Sequence, residues 1–144
     1  MQDSGKRFAR GAGGGPAPNS KQVTTKGRGD RAEALARTYL QRQGLVCLAM
    51  QFRSPGRGGG EIDLIMRDGD TLVFVEVRQR SAQDFGGAAA SIGGLKRRRI
   101  IFAARHYLMR LPSPPPCRFD VVLIEGPSDD HAQIIWLKAA FDAG

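Results

Sequence analysis

The sequence predicts an α/β domain, a mixed sheet covered by helices, with elements in the order α-β-β-β-α-β-β. Three observations carry that expectation. Asp68-Gly69 joins two apolar runs, and this dipeptide is the strongest short-range mark of a tight hairpin. Asp30-Arg-Ala-Glu33 has the spacing of a capping box at a helix start. A Gly/Ala/Ser-rich connector, Gly86 to Gly94, leads into a second helical pattern that the proline run from Pro112 ends.

Each element follows from local chemistry. Residues 1–27 are rich in Gly, Pro and Ser with scattered cations. They offer no periodic apolar face to offset the entropy of ordering them, so a disordered tail is expected there, with one domain over 28–144. The first helix should open at Asp30 and run to about Gln43, burying Leu35, Tyr39 and Leu40, with Gly44 as its stop. Leu45 to Phe52 reads as a strand, and Ser54 to Gly60 as a loop. Strands at about Glu61–Arg67 and Asp70–Arg80 flank the hairpin turn. A helix from about Leu95 to Leu111 carries Ile101, Ala104 and Leu108 at i, i+3, i+7 spacing. Arg118 to Glu125 is an apolar strand, and Ala132 to Lys138 a short one at the sheet edge. No internal repeat is present.

Composition narrows the function classes. The formal net charge is +8, and no apolar run approaches the roughly 20 residues that a membrane span needs. The N-terminus has cations but no apolar stretch behind them, so it does not read as a secretory signal, and the expected compartment is the cytoplasm. Cys47 and Cys117 lack the spacing of a zinc site and are too few for a disulfide framework, so both are expected as core or near-core thiols. Between Phe85 and Phe119 there is no acid, against seven cations: Lys96, Arg97, Arg98, Arg99, Arg105, Arg110 and Arg118. Charge so unevenly placed suggests an anionic partner, of which nucleic acid is the commonest.

Strand parity decides whether the acids of the hairpin can meet. With Asp68-Gly69 as the loop, Arg67 pairs with Asp70. Asp63 then faces Phe74, and Glu61 faces Glu76. Glu61, Asp63, Glu76 and Arg78 fall on one face, while Ile62, Leu64 and Met66 share the other with Thr71, Val73, Val75 and Val77. Asp63 and Glu76 become diagonal neighbours about 7–8 Å apart in the backbone. Three clustered carboxylates need a compensating cation. Arg78, with Arg80, would supply it in an ordinary solvent-facing strand end; a divalent ion would supply it in a metal site. Oxygen-only ligands of this kind suit Mg²⁺ or Mn²⁺. Lys96-Arg-Arg-Arg99 sits in the first turn of its helix, where the macrodipole disfavours cations, and together with the helix N-terminus it suits phosphate.

Asp63, twelve intervening residues, then Glu76-Val-Arg78, behind a helix that bears Glu33, resembles the PD-(D/E)XK nuclease motif. More specifically, Gly60-Glu-Ile-Asp-Leu-Ile65, Asp68-Gly-Asp-Thr-Leu-Val-Phe-Val-Glu-Val77, Lys96 and Cys117-Arg-Phe-Asp-Val-Val122 resemble the YraN family. With Gly29, Glu33, Ala36, Tyr39-Leu40 and Gly44, the resemblance covers about Gly29 to Phe141. That family shares the fold of archaeal Holliday-junction resolvases. It implies a restriction-endonuclease-like αβββαβ core, with Asp63 and Glu76 as metal ligands helped by the Val77 carbonyl. Glu33 is either the helix-borne acid of the site or only the capping residue. The departure is Arg78, where the pattern expects lysine; arginine can steady a phosphate but cannot act as a base.

Three readings follow. One is a metal-dependent endonuclease acting on structured nucleic acid, DNA favoured over RNA. Asp63, Glu76, Arg78 and Glu33 would be catalytic, Glu61 a further metal ligand, and Arg53, Arg80 and Lys96 to Arg99 phosphate contacts. Another is a non-catalytic binding module on the same fold, its acids neutralised by Arg78. A third is a protein-interaction role, as a homodimer through the edge strand Ala132–Lys138, which predicts indifference to both metal and nucleic acid.

Overall fold

The computed structural model describes residues 25–80, 92–126 and 131–143. Two compact units divide the chain, Met1–Asp30 and Arg31–Gly144. Most of the expected tail, positions 1–24, lies outside the described residues, and positions 25–27 are helical.

Helix α1 spans Thr25–Arg42 and therefore opens at Thr25 rather than at Asp30. Asp30 and Glu33 are interior to it. An interior amide finds its carbonyl four residues back, so the expected capping box has no orphan donors to satisfy. The helix ends as expected at Gly44. That residue takes φ +101°, and the Gly44 and Leu45 amides donate back to Gln41 and Leu40 at 3.0 and 3.1 Å. This is the Schellman arrangement, which needs a residue free to adopt the left-handed conformation.

Strands β1 (Val46–Arg53), β2 (Glu61–Asp68), β3 (Thr71–Arg80), β4 (Cys117–Glu125) and β5 (Gln133–Phe141) form one sheet in sequence order. All neighbours are antiparallel except β3 and β4, which run parallel. A parallel pair requires a crossover, and helix α2 (Gly94–Leu108) lies within it. The result is the mixed, helix-flanked α/β sheet that the sequence predicts, consistent with a restriction-endonuclease-like core.

Both faces of the central strands are apolar and covered, while Val46, Leu48 and Met50 of edge strand β1 stay exposed. On one face, Ala32, Ala36 and Leu40 of α1 pack on Leu64, Met66, Val73, Val75, Val122 and Ile124. Small residues at i and i+4 let the helix lie close to the strands. On the other, Ile100, Ala103 and Ala104 of α2 pack on Ile65, Leu72, Phe74, Phe119, Val121 and Leu123. Ile62 joins this second cluster, against the expectation that it would share a face with Leu64 and Met66. The strand side chains cease to alternate regularly at Asp63, where β2 enters the site.

The β2–β3 turn also departs from the expected register. Asp68 pairs with Thr71, so the two-residue loop is Gly69-Asp70, and the ladder continues to Leu64 opposite Val75. Only Gly69 takes a positive φ, +61°, at the first loop position. A type II′ turn asks for that single positive φ, whereas an Asp68-Gly69 type I′ turn would put Asp68 there too. The slip moves every pairing by two residues, so parity survives but neighbours change. Extended one step, the register sets Asp63 directly against Glu76, not diagonal to it.

Of the thiols, Cys47 is half-buried but Cys117 is exposed, contrary to expectation, at the first position of β4; both are free. The edge strand β5 runs further than expected, to Phe141, whose ring stacks on Phe119. Among the described residues, no helix is long and apolar enough to cross a membrane.

Candidate active site

The site forms where β2 and β3 part. Their ladder ends at Leu64–Val75, and the Val77 amide donates instead to Asp63 Oδ2 at 2.8 Å. A carboxylate has thus replaced a strand carbonyl as acceptor, which turns Asp63 inward between the two strands. Glu76 is buried, one carboxyl oxygen 3.4 Å from Lys96 Nζ and the other, Oε1, without a hydrogen-bond partner. Lys96 comes from the first turn of α2. Its cost beside the helix N-terminus, noted from sequence, is offset by a buried anion placed across from it.

Glu33 completes the group from α1. Its Oε1 accepts a hydrogen bond from Gln51 Nε2 at 2.8 Å. Gln51 lies on β1 opposite Asp63, between the pairs Met50–Leu64 and Phe52–Ile62, and its backbone sits at φ +52°. For a residue with a side chain that conformation costs about 1–3 kcal/mol, a strain that tends to gather at functional sites. Glu33 lies inside the helix rather than at its cap, and its carboxylate feels the charge of Asp63 and Glu61.

The proton affinities record this crowding. Burial pushes Glu33 up to about 7, countered by the Gln51 hydrogen bond and reinforced by the Asp63 charge. Burial and then the Glu76 charge push Asp63 up to about 7 as well, against the pull of the Val77 amide. Glu76 is raised by burial and drawn back chiefly by Lys96, with Arg78 a smaller influence. Three carboxyls that each resist ionisation, chiefly because they are buried, thus lie in one place.

The other expected residues divide into those brought here and those that are not. Arg78 lines, with Glu76, Val77, Gln79, Gly93 and Lys96, an open groove of about 540 Å³. Glu61 points to Arg53, at 3.6 Å, and reaches the site through its charge on Glu33. Among the described residues, no three His, Cys, Asp or Glu side chains form a ready ligand cage. Arg80 is paired with Glu125 rather than free for phosphate. Arg97 donates to the Ile92 carbonyl at 2.9 Å and lies over the Phe141 ring. Arg98 and Arg99 are exposed.

A divalent ion fits the donors present. The Oε1 atom of Glu76 is a buried oxygen with no donor, and Asp63 stands beside it as a second hard oxygen ligand. Two carboxylates with water completing the shell are ordinary for Mg²⁺. Gln51 is the residue that sequence reasoning missed; its one signal is a polar position within the apolar run from Val46 to Phe52, uninformative until β1 is registered on β2.

The loop before β2 is more compact than its glycines suggest. The Ser54 amide donates to the Gly60 carbonyl, and the Gly60 amide to Ser54 Oγ, both at 3.2 Å. A Cβ on Gly60 would come within 2.7 Å of Arg99 Cβ and 2.8 Å of the Arg99 carbonyl oxygen. Glycine at this position lets α2 approach β2 closely, which holds the helix that carries Lys96.

Comparison with known proteins accords with the motif blocks. A UPF0102 protein of Polaromonas naphthalenivorans (strain CJ2) is 63% identical over 135 residues, covering 90% of this chain and 88% of that protein. A UPF0102 protein of Paracidovorax citrulli (strain AAC00-1) is 61% identical over 131 residues, 90% of this chain and 93% of its own length. A more distant one, from Janthinobacterium sp. (strain Marseille), is 53% identical over 115 residues, covering 80% and 87%. The model of the uncharacterised protein family UPF0102 matches residues 32–124, from α1 through β4. The span takes in Glu33, Asp63, Glu76 and Lys96, and the chain belongs to that family.

Proposed function

We propose that this protein is a metal-dependent, nuclease-like enzyme that hydrolyses phosphodiester bonds in structured nucleic acid. The observation that carries the reading is the meeting of Glu33, Asp63 and Glu76, from three different elements, across from Lys96. Asp63 and Glu76, with the Val77 carbonyl, would hold Mg²⁺ or Mn²⁺. When bound, such an ion polarises a phosphoryl oxygen and lowers the pKa of a coordinated water.

The chain's own residues supply the remaining functions. Lys96 and Arg78 line the groove from opposite elements and are placed to neutralise charge developing on a phosphate. Lysine is the residue type expected at the position of Arg78, and Lys96 brings an ammonium to the same carboxylate from α2. Arg78 is left the task its fork suits, gripping phosphate oxygens. Glu33, a carboxyl that ionises near neutrality, can take up or release a proton at the site's edge while Gln51 fixes its orientation. Arg98 and Arg99 extend the positive surface along α2, where phosphate contacts position a substrate without reading its sequence.

The binding-module reading keeps one observation in its favour: Lys96 already pairs with Glu76, so the acid is neutralised without a metal. Cleavage of a labelled panel of branched, flapped, single-stranded and double-stranded DNA and of RNA, with Mg²⁺ or Mn²⁺, separates the two. Cutting that disappears in Asp63→Ala and in Lys96→Met is the result expected of the enzyme. Binding to the panel without cutting, by wild type and by Arg78→Lys alike, establishes the module.

A further inference from the structure

The outer face of α2 carries more than the Arg98 and Arg99 contacts already proposed, for it is strongly patterned. Leu95, Phe102 and Met109 stand seven residues apart and are 55%, 38% and 72% exposed. Seven residues is nearly two whole turns, so these three side chains form one ridge, on the side away from the buried Ile100, Ala103 and Ala104. Arg98 and Arg105 flank the ridge on one side, Arg99 and His106 on the other, at the i±3 and i±4 positions around Phe102. The Phe102 and His106 rings contact each other at 4.7 Å, at a steep angle. No acid lies anywhere on α2.

A solvated helix face has no use for an exposed phenylalanine ringed by cations. Charge selects among the occupants such a ridge could take. A second copy docked on the same face would set arginines against arginines. An anionic strand complements them. The ring adds what a double helix cannot use, since every base of an intact duplex is already stacked.

We infer that the Phe102–His106 face of α2 is a stacking platform for unpaired bases, its flanking arginines holding the phosphates on either side. The inference rests on nucleic acid being the partner, and it names the substrate class as strands with unstacked bases: single strands, flaps and the open arms of branched structures. Phe102 lies six residues beyond Lys96, about 9 Å along the helix axis, so one strand can touch both the platform and the groove. Aromatic stacking tolerates any sequence because every base has a π face, which fits recognition by shape.

The test measures binding without metal, in EDTA, so that cleavage plays no part. The probes are a short fluorescent oligothymidylate, an abasic strand of equal length and charge, a blunt duplex, and anionic phosphatidylglycerol vesicles. Wild type should hold the oligothymidylate more tightly than the abasic strand. Phe102→Ala should weaken the oligothymidylate about 5- to 150-fold while leaving the abasic strand within about twofold. Phe102→Trp should retain affinity, with its fluorescence quenched by the oligothymidylate and not by the abasic strand. Equal affinity for the two strands overturns the platform, as does an unaffected Phe102→Ala. Vesicle binding that Phe102→Ala abolishes, with oligothymidylate binding unchanged, overturns it in favour of a lipid surface. Duplex binding without these differences defeats this inference alone; failure to bind any nucleic acid defeats the proposed function as well.

Discussion

Asp63→Asn should make the protein more stable at pH 8 and about a third as much more stable at pH 5. The Asp63 carboxyl is pushed from 3.8 to about 7 in the folded chain, first by burial and next by the Glu76 charge. Between those values the folded protein keeps a proton that the unfolded chain has released. The native state binds more protons, so its stability falls as pH rises, and the loss is complete above about pH 7. A shift of about three units corresponds to an upper bound of about 4 kcal/mol. Water and counter-ions at the open groove reduce it, and about 2–4 kcal/mol is the expected range. Asparagine keeps an oxygen for the Val77 amide while removing the charge. For a domain of this size the gain corresponds to roughly 8–16 °C in Tm. Calorimetry of wild type and variant in EDTA at pH 5 and pH 8 reads it, together with the smaller shifts that losing the Asp63 charge causes at Glu33 and Glu76. Added Mg²⁺ should raise the Tm of wild type at pH 8 and that of the variant much less. A Tm difference that is the same at both pH values, or a variant that loses ground at pH 8, would refute the account of Asp63 as a buried, uncompensated charge.

Three other expectations follow from particular contacts. Lys96→Met should reduce phosphodiester cleavage about 100-fold or more, the typical scale for a lost charge stabiliser, and Arg78→Ala should reduce it as well by removing the fork that grips phosphate; initial rates under single-turnover conditions compare them. Gly60→Ala should destabilise by about 1–3 kcal/mol in urea melts, because the new methyl meets the Arg99 backbone rather than a movable side chain. Asp120 is fully buried and accepts from Arg118, Trp136 Nε1 and the Ala139 amide, so Asp120→Ala should cost about 2–5 kcal/mol in urea melts with m unchanged, leaving the indole N–H and the Ala139 amide without acceptors while Arg118 keeps Asp68.

The order of elements was legible in the chain because it depends on neighbours in sequence. Apolar periodicity, the Gly69 turn, the Gly44 stop and the proline run after α2 each act within a few residues, and each is where the sequence placed it to within a turn or so. That Asp63 and Glu76 lie close together could also be read from strand parity and the motif, though the register of the ladder beside them could not. It turned on which of two adjacent dipeptides formed the loop, a choice made by the backbone of Gly69.

What lay beyond reading depends on elements distant in sequence. Gln51 meets Glu33 only because β1 is registered on β2 beneath α1. Lys96 meets Glu76 only because α2 crosses over to the end of β3, and Gly60 lets it come close enough. The helix start moved to Thr25 because a capping box marks where a helix can begin, not where it must. Local chemistry thus settled which elements form and which residues carry charge. Packing two helices on opposite faces of one sheet settled which of those charges meet, since a buried carboxyl takes its properties from whatever the fold sets against it.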